Sequence, residues 1–160
     1  MKIGIISDSH DHLTYVKQAV DIMNERMIDS VLHAGDYVAP FVINEFARLK
    51  APLHGIYGNN DGERVGLSIK FKQIGSIQVQ PLFIELAGKQ IAMVHEPELV
   101  ASLASSGRYN LIIYGHTHQL ETTKGNPLII NPGELCGWLT GKATCVILDL
   151  DTMEPEVITL

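Results

Sequence analysis

At 160 residues the chain suits one domain spanning 1–160. Its 46% hydrophobic and 19% charged residues match a globular protein that buries a core unaided, and no apolar run approaches the ~20 residues a membrane span requires. A net charge of −6 argues against an extended nucleic-acid surface, but not against a small phosphorylated substrate, because bound cations reverse the local field.

Residues 2–6 read as a first strand that runs into the polar stretch 8–12. Leu13, Val16, Val20, Met23 and Met27 then recur at steps of three and four, the mark of an amphipathic helix with Asp11 or Thr14 as its cap. Residues 29–36 give a second strand ending in a carboxylate. Pro40 suits a first helical turn, and Phe41, Val42, Phe46 and Leu49 supply an apolar face up to the break at Lys50-Ala51-Pro52. With a third strand over 53–57, the order is β-α-β-α-β, the pattern of an α/β layer with parallel strands.

A polar connection over 61–75, with helix near 68–73, separates this half from one of shorter period. Strands are expected over 77–79, 82–86 and 90–94, the last two joined by a turn at Ala87-Gly88-Lys89. A short helix over 98–105 stops at Gly107, and 110–114 is another strand. Residues 119–123 and 128–130 flank a turn at Lys124-Gly125-Asn126, and strands over 143–150 and 157–160, joined through 152–155, close the chain. That is too much strand for one five-stranded parallel sheet. Two mixed β-sheets packed together with helices outside, an α/β (α+β) fold, account for it. The N-terminus carries no leader pattern, and Cys136 and Cys145 form no C-x-x-C pair, so a cytoplasmic protein without a thiolate metal site is expected.

The strands share one habit. Six times an apolar run ends in groups able to ligate or catalyse: at Ser7-Asp8-Ser9-His10, Gly35-Asp36, Gly58-Asn59-Asn60-Asp61, His95-Glu96, Gly115-His116-Thr117-His118 and Asn131-Pro132-Gly133-Glu134. Ligand sites of open sheets lie beyond the carboxyl ends of their strands. Asp8, His10, Asp36, Asn59, His95, His116 and His118 together offer nitrogen and hard oxygen without thiolate, a donor set for divalent manganese, iron, cobalt, nickel or zinc. Seven ligands exceed the roughly three that one catalytic ion uses, whereas two ions sharing a carboxylate would use them all. Asp36, alone and short-chained after its strand, is the expected bridge. Such a pair acidifies a bridging water and neutralises phosphoryl oxygens, which makes attack on phosphorus the natural reaction class.

These ordered elements, Asp8-x-His10, Gly35-Asp36, Gly58-Asn59-x-Asp61, His95 and Gly115-His116-x-His118, resemble the calcineurin-like metallophosphoesterase family, in particular its minimal prokaryotic and archaeal phosphodiesterase branch. The resemblance implies a four-layer αββα sandwich. It implies one ion on Asp8, His10, Asp36 and His118 and another on Asp36, Asn59, His95 and His116, with manganese first and nickel, iron, cobalt or zinc as alternatives. It also implies a small phosphodiester substrate, which spacing alone does not separate from a monoester. Many members carry histidine directly after the metal-binding asparagine, where it contacts phosphate and protonates the leaving oxygen. Here Asn60 stands there, able to orient phosphate but not to act as general acid. Where the family has glycine after the histidine, this chain has Glu96, a further charge beside the second ion.

Asn60 and Asp36 are therefore the expected catalytic residues, with Asn60 and Arg64 as phosphate contacts. His33 and His54 read as packing residues or supports behind the ligands, with support of Asp36 the alternative for His33, His12 reads as solvent-facing, and Asp61 as a brace for Asn59 or its loop. Gly58 and Gly115 read as suppliers of unusual φ. Glu134 stays open between binding substrate, polarising a histidine and capping a helix, and Trp138 between core and a contact in a homo-oligomer. The rival readings are a binding scaffold that keeps the fold without catalysis, a phosphomonoesterase and a nuclease.

Overall fold

The protein is described here by a computed structural model covering residues 1–160. Strands β1 (Lys2–Ile6), β2 (Ser30–His33), β3 (Leu53–Ile56) and β4 (Gly75–Gln78) are parallel neighbours. β10 (Thr144–Asp149) and β11 (Glu154–Thr159) extend that sheet antiparallel beyond β1, giving the order β11-β10-β1-β2-β3-β4. The second sheet has the order β5-β6-β7-β9-β8. Its centre, β6 (Lys89–Met93), β7 (Leu111–Ile113) and β9 (Leu128–Pro132), is parallel, and β5 (Leu82–Leu86) and β8 (Leu120–Thr123) flank it antiparallel.

The near-continuous apolar sequence of the central strands follows from burial on both faces. In β1, Ile3 and Ile5 face the second sheet, where they join Leu32, Ile56, Ile91, Met93, Leu111 and Ile113 in one core. Ile6 points the other way, into a separate core with α1 (Leu13–Glu25), α2 (Ile43–Phe46) and α3 (Arg64–Phe71). On that same face Gly4 leaves room for Met23 of α1. The outer face of the second sheet is covered thinly by α4 (Val100–Ser105), which packs on β7 and buries none of its own residues. The expected αββα sandwich is present with an asymmetric fourth layer. No helix is long and apolar enough to cross a membrane.

Several boundaries differ from the sequence expectation for local reasons. Helix α1 is capped neither by Asp11 nor by Thr14 but by His12, whose ring nitrogen accepts from Tyr15 N–H. Leu13 and Met27 lie outside its buried stripe of Val16, Ala19, Val20 and Met23, and Met27 is 82% exposed at a left-handed position just past the helix end. The helix expected from Pro40 to Leu49 is a 3₁₀ turn, Pro40–Val42, followed by the single turn of α2. β2 stops at His33, so Asp36 belongs to the loop. The closing turn is tighter than expected, because β11 already begins at Glu154. The Ala87-Gly88 turn is as expected, with both residues at positive φ between β5 and β6.

Ile113 lies wholly buried between the sheets, whereas Val65 on α3 is 77% exposed. Ile113→Ala should therefore lower unfolding free energy by about 2–5 kcal/mol and Val65→Ala by less than about 0.5 kcal/mol in denaturant titration.

Candidate metal centre

Three parallel strands of each sheet end at the same edge of the sandwich, and the loops beyond them are laced together by their backbones. Asp8 N–H donates to Gly35 O at 3.0 Å and His10 N–H to Asp36 O at 3.1 Å, which runs the loop after β1 beside the loop after β2. Gly115 N–H donates to His95 O at 3.0 Å, joining the loops after β7 and β6. Leu135 N–H to Ser7 O at 2.9 Å and Cys136 N–H to Asp8 O at 3.1 Å tie the loop after β9 to the first sheet.

All seven residues read from the sequence as ligands meet there. His10 Nε2 lies 3.5 Å from Asp36 Oδ2 and 3.8 Å from Asp8 Oδ1, and His118 Nε2 lies 3.4 Å from that same Asp8 oxygen. On the other side of Asp36, His95 Nε2 is 3.4 Å from Oδ2. Asn59 Oδ1 is 2.8 Å from His95 Nε2 and 2.9 Å from His116 Nδ1. The imidazoles thus form two pairs, His10 with His118 and His95 with His116, each with ring centres 5.2 Å apart. Asp36 sits between them.

Two details bear on whether a cation fits. Asp8 Oδ1 and His10 Nε2 are buried and have no hydrogen-bond partner. A buried carboxylate oxygen without a donor costs several kcal/mol in order of magnitude, and a divalent ion would remove that cost. Furthermore, Asp8, His10, Asp36, His116 and His118 all have φ between 38° and 66°. Backbone in this region is unfavourable for residues with a Cβ, and it accumulates where side-chain aim matters more than local stability.

Behind the seven stand groups that hold them in place. Asp61, which the sequence left as a brace for Asn59 or the loop, is buried and accepts four backbone N–H groups. They come from Asp36 at 3.1 Å and from Tyr37, Val38 and Gly58 at 2.8 Å each. It therefore ties the loop carrying the bridge to the loop carrying Asn59. Glu134, open between three readings, takes the second: its Oε2 accepts from His118 Nδ1 at 2.7 Å, which leaves Nε2 facing the centre. Burial would push Glu134 up, but donation from Thr140, His118 and Leu139 brings its carboxyl down to about 2. His95 Nδ1 is anchored on Ala34 O at 2.7 Å, which aims its Nε2 inward in the same way. His33 is buried, stacks on Tyr37, accepts from Gly35 N–H and meets Ser9 Oγ at 3.0 Å, so it supports two of the loops. His54 meets only Ser76 Oγ.

The electrostatics are those of a site prepared for positive charge. Burial works against the charged form of Asp36, but the His95 and Asn60 contacts outweigh it and hold the carboxyl well below the usual range. Burial likewise works against charged His95, and Asp36 with Ala34 O raises it to about 9.

Other residues differ from expectation. Arg64 is turned to its own loop: Nε donates to Asp61 O at 3.0 Å, a terminal nitrogen to Gly58 O at 3.3 Å, and the guanidinium lies over the Tyr57 ring. Glu96 turns to the Gln80 amide, whose oxygen accepts from His95 N–H, so its charge is occupied there. Trp138 is not core, being 67% exposed. Gly58 and Gly115 lie outside the positive-φ region and serve closeness instead. A Cβ on Gly58 would overlap Asp36 Oδ1, and one on Gly115 would overlap Ser7 Oγ and crowd Asp8 Oδ2. Gly58→Ala should accordingly displace the Asp36 carboxylate and weaken divalent-ion binding by about tenfold or more, as read by calorimetric titration, while the chain remains folded by circular dichroism.

The chain has relatives. A family model described as the calcineurin-like phosphoesterase superfamily domain matches residues 1–153. A phosphodiesterase of Methanocaldococcus jannaschii is 41% identical over 165 residues, covering 100% of this chain and 99% of the relative. A solved structure described as a novel archaeal phosphodiesterase superposes with a TM-score of 0.95 at 40% identity, covering 100% of both chains. Vps29 of Chaetomium thermophilum, at 14% identity and a TM-score of 0.73 over 100% of this chain and 94% of that one, shares the fold. With a family match over nearly its whole length and a full-length relative above 40% identity, this chain belongs to the calcineurin-like phosphoesterase superfamily.

Proposed function

We propose that the chain is a phosphodiesterase using two divalent cations, one on Asp8, His10, Asp36 and His118 and the other on Asp36, Asn59, His95 and His116. The observation that carries this reading is the convergence of seven nitrogen and oxygen donors around Asp36, with Asp8 Oδ1 and His10 Nε2 buried and unpartnered. The full-length relative named a phosphodiesterase favours a diester over a monoester. Manganese is the first choice of ion, with nickel, iron, cobalt or zinc behind it, and a small phosphodiester in the cytoplasm is the expected substrate.

Bound cations would supply positive charge to the phosphoryl oxygens and make a water acidic near neutral pH. The chain supplies geometry. Asp36 offers one oxygen toward His10 and His95 alike, which suits a shared ligand. Asn60 donates its backbone N–H to Asp36 Oδ1 at 2.8 Å and one amide hydrogen to Oδ2 at 2.7 Å. Its second amide hydrogen remains to orient a phosphoryl oxygen. A carboxamide has no proton to give to a departing alkoxide. Arg64 serves by fixing the Gly58–Asp61 loop, through which Asn59 and Asn60 are positioned.

Two outcomes test the reading. Nitrophenyl diesters should be cleaved far faster than alkyl ones, and Asn60→His should raise the alkyl rate selectively, by about 10²-fold. Similar wild-type rates on both would contradict the role given to Asn60. The second test uses pH. The proton on His95 must leave before a cation takes Nε2, so cation affinity should climb with pH up to about 9, releasing protons that calorimetry in two buffers can count. In the cation-free chain, the raised His95 stabilises the fold fully below its ordinary value of 6.5, and that contribution fades as pH rises through about 9. Added manganese should therefore raise the melting temperature more at pH 9 than at pH 6.

A further inference from the structure

A cavity of about 450 Å³ opens beside the centre. His10, His118, Asn60 and the Asp11 carboxylate line it together with Cys136 and the apolar Val38, Trp138 and Leu139. Trp138 and Leu139 are 67% and 77% exposed, an unusual amount of uncovered apolar surface to keep next to a cluster of charges.

That wall is held by the same carboxylates that hold the ligands. Leu139 N–H and the Thr140 N–H and hydroxyl donate to Glu134, the residue that also fixes His118. Trp138 meets the His12 ring edge-on at 5.8 Å, and His12 stacks on Tyr15 at 4.4 Å. Val38 is a β-branched residue at φ 83°, a true backbone outlier, and its N–H is tied to Asp61 at 2.8 Å. Strain of this kind persists where a site over-determines it. No lysine or arginine lines the cavity, so a second phosphate would find no partner there, whereas a flat neutral group would find an indole and two aliphatic side chains.

We propose that this cavity is a subsite for a planar aromatic substituent of the phosphodiester, stacked on Trp138 and flanked by Val38 and Leu139. A simple aryl ring and a nucleobase share the required chemistry. The proposal rests on the phosphodiesterase reading for the position of the phosphoryl group, but its first test does not depend on turnover. Trp138 is the chain's one tryptophan, so its emission reports on the subsite directly. In the manganese-loaded protein, phenylphosphonate should shift or quench that emission saturably, and methylphosphonate should leave it unchanged. Equal responses, or none, overturn the subsite.

The kinetic arm keeps one leaving group and changes the other substituent, using p-nitrophenyl methyl phosphate, p-nitrophenyl phenyl phosphate and thymidine 5′-(p-nitrophenyl phosphate). The ring-bearing esters should show a KM about tenfold below that of the methyl ester. Trp138→Ala should erase that gap, and Trp138→Phe, which keeps a flat face, should retain most of it. A gap for the thymidine ester alone identifies the occupant as a nucleobase, and a gap for both identifies any flat ring. Absence of turnover on all three would refute the phosphodiesterase reading, with the phosphonate titration still deciding the subsite.

Discussion

A carboxylate removed from water must be given donors or positive charge, and the architecture follows from meeting that demand four times in one place. Asp8, Asp36, Asp61 and Glu134 are all essentially buried at the shared strand edge. Asp61 is satisfied by four backbone N–H groups, and Glu134 by its own loop and His118. Asp36 has His95 and Asn60. Asp8 has His116 N–H on Oδ2, but its Oδ1, which faces the His10 and His118 rings, makes no hydrogen bond. The compensation is graded: the carboxylates that brace are saturated, and the ones nearest the centre keep capacity in reserve.

Much of this could be read from the chain before folding. Continuous apolar runs ending in Asp8, Asp36, Asn59, His95, His116 and His118 announce parallel strands with polar groups at one edge, because strands buried on both faces leave only their ends for chemistry. Two sheets followed from the amount of strand. The spacing could not say how the ligands are aimed. Left-handed φ at five of the seven is a property of loops fixed by partners far away in sequence, such as Gly35 for Asp8 and Asp36 for His10.

The bracing groups were obscured for a similar reason. Glu134 is one acid among many until Leu139 and Thr140 curl back to it. Arg64 reads as a phosphate clamp by charge alone, yet the loop carbonyls of Gly58 and Asp61 take two of its N–H donors and turn it to its own loop. For Trp138 the sequence leaves core and subunit contact open, and the loop drawn in by Glu134 holds it outward. Gly58 and Gly115 were recognisable as important, whereas the cause, closeness to Asp36 and Ser7, is a matter of tertiary packing.

The ancestry of the donors has a further mechanical meaning. Asp8, His10, Asp36 and Asn59 follow strands of the first sheet, and His95, His116 and His118 follow strands of the second. A cation held from both sides would act as a rivet through the two halves of the sandwich. Docking of the halves and occupancy of the centre would then be thermodynamically one quantity seen from two ends, each strengthening the other. A slip between the sheets far from the loops, even one that disturbs no ligand directly, would be felt at the centre as a loss of grip.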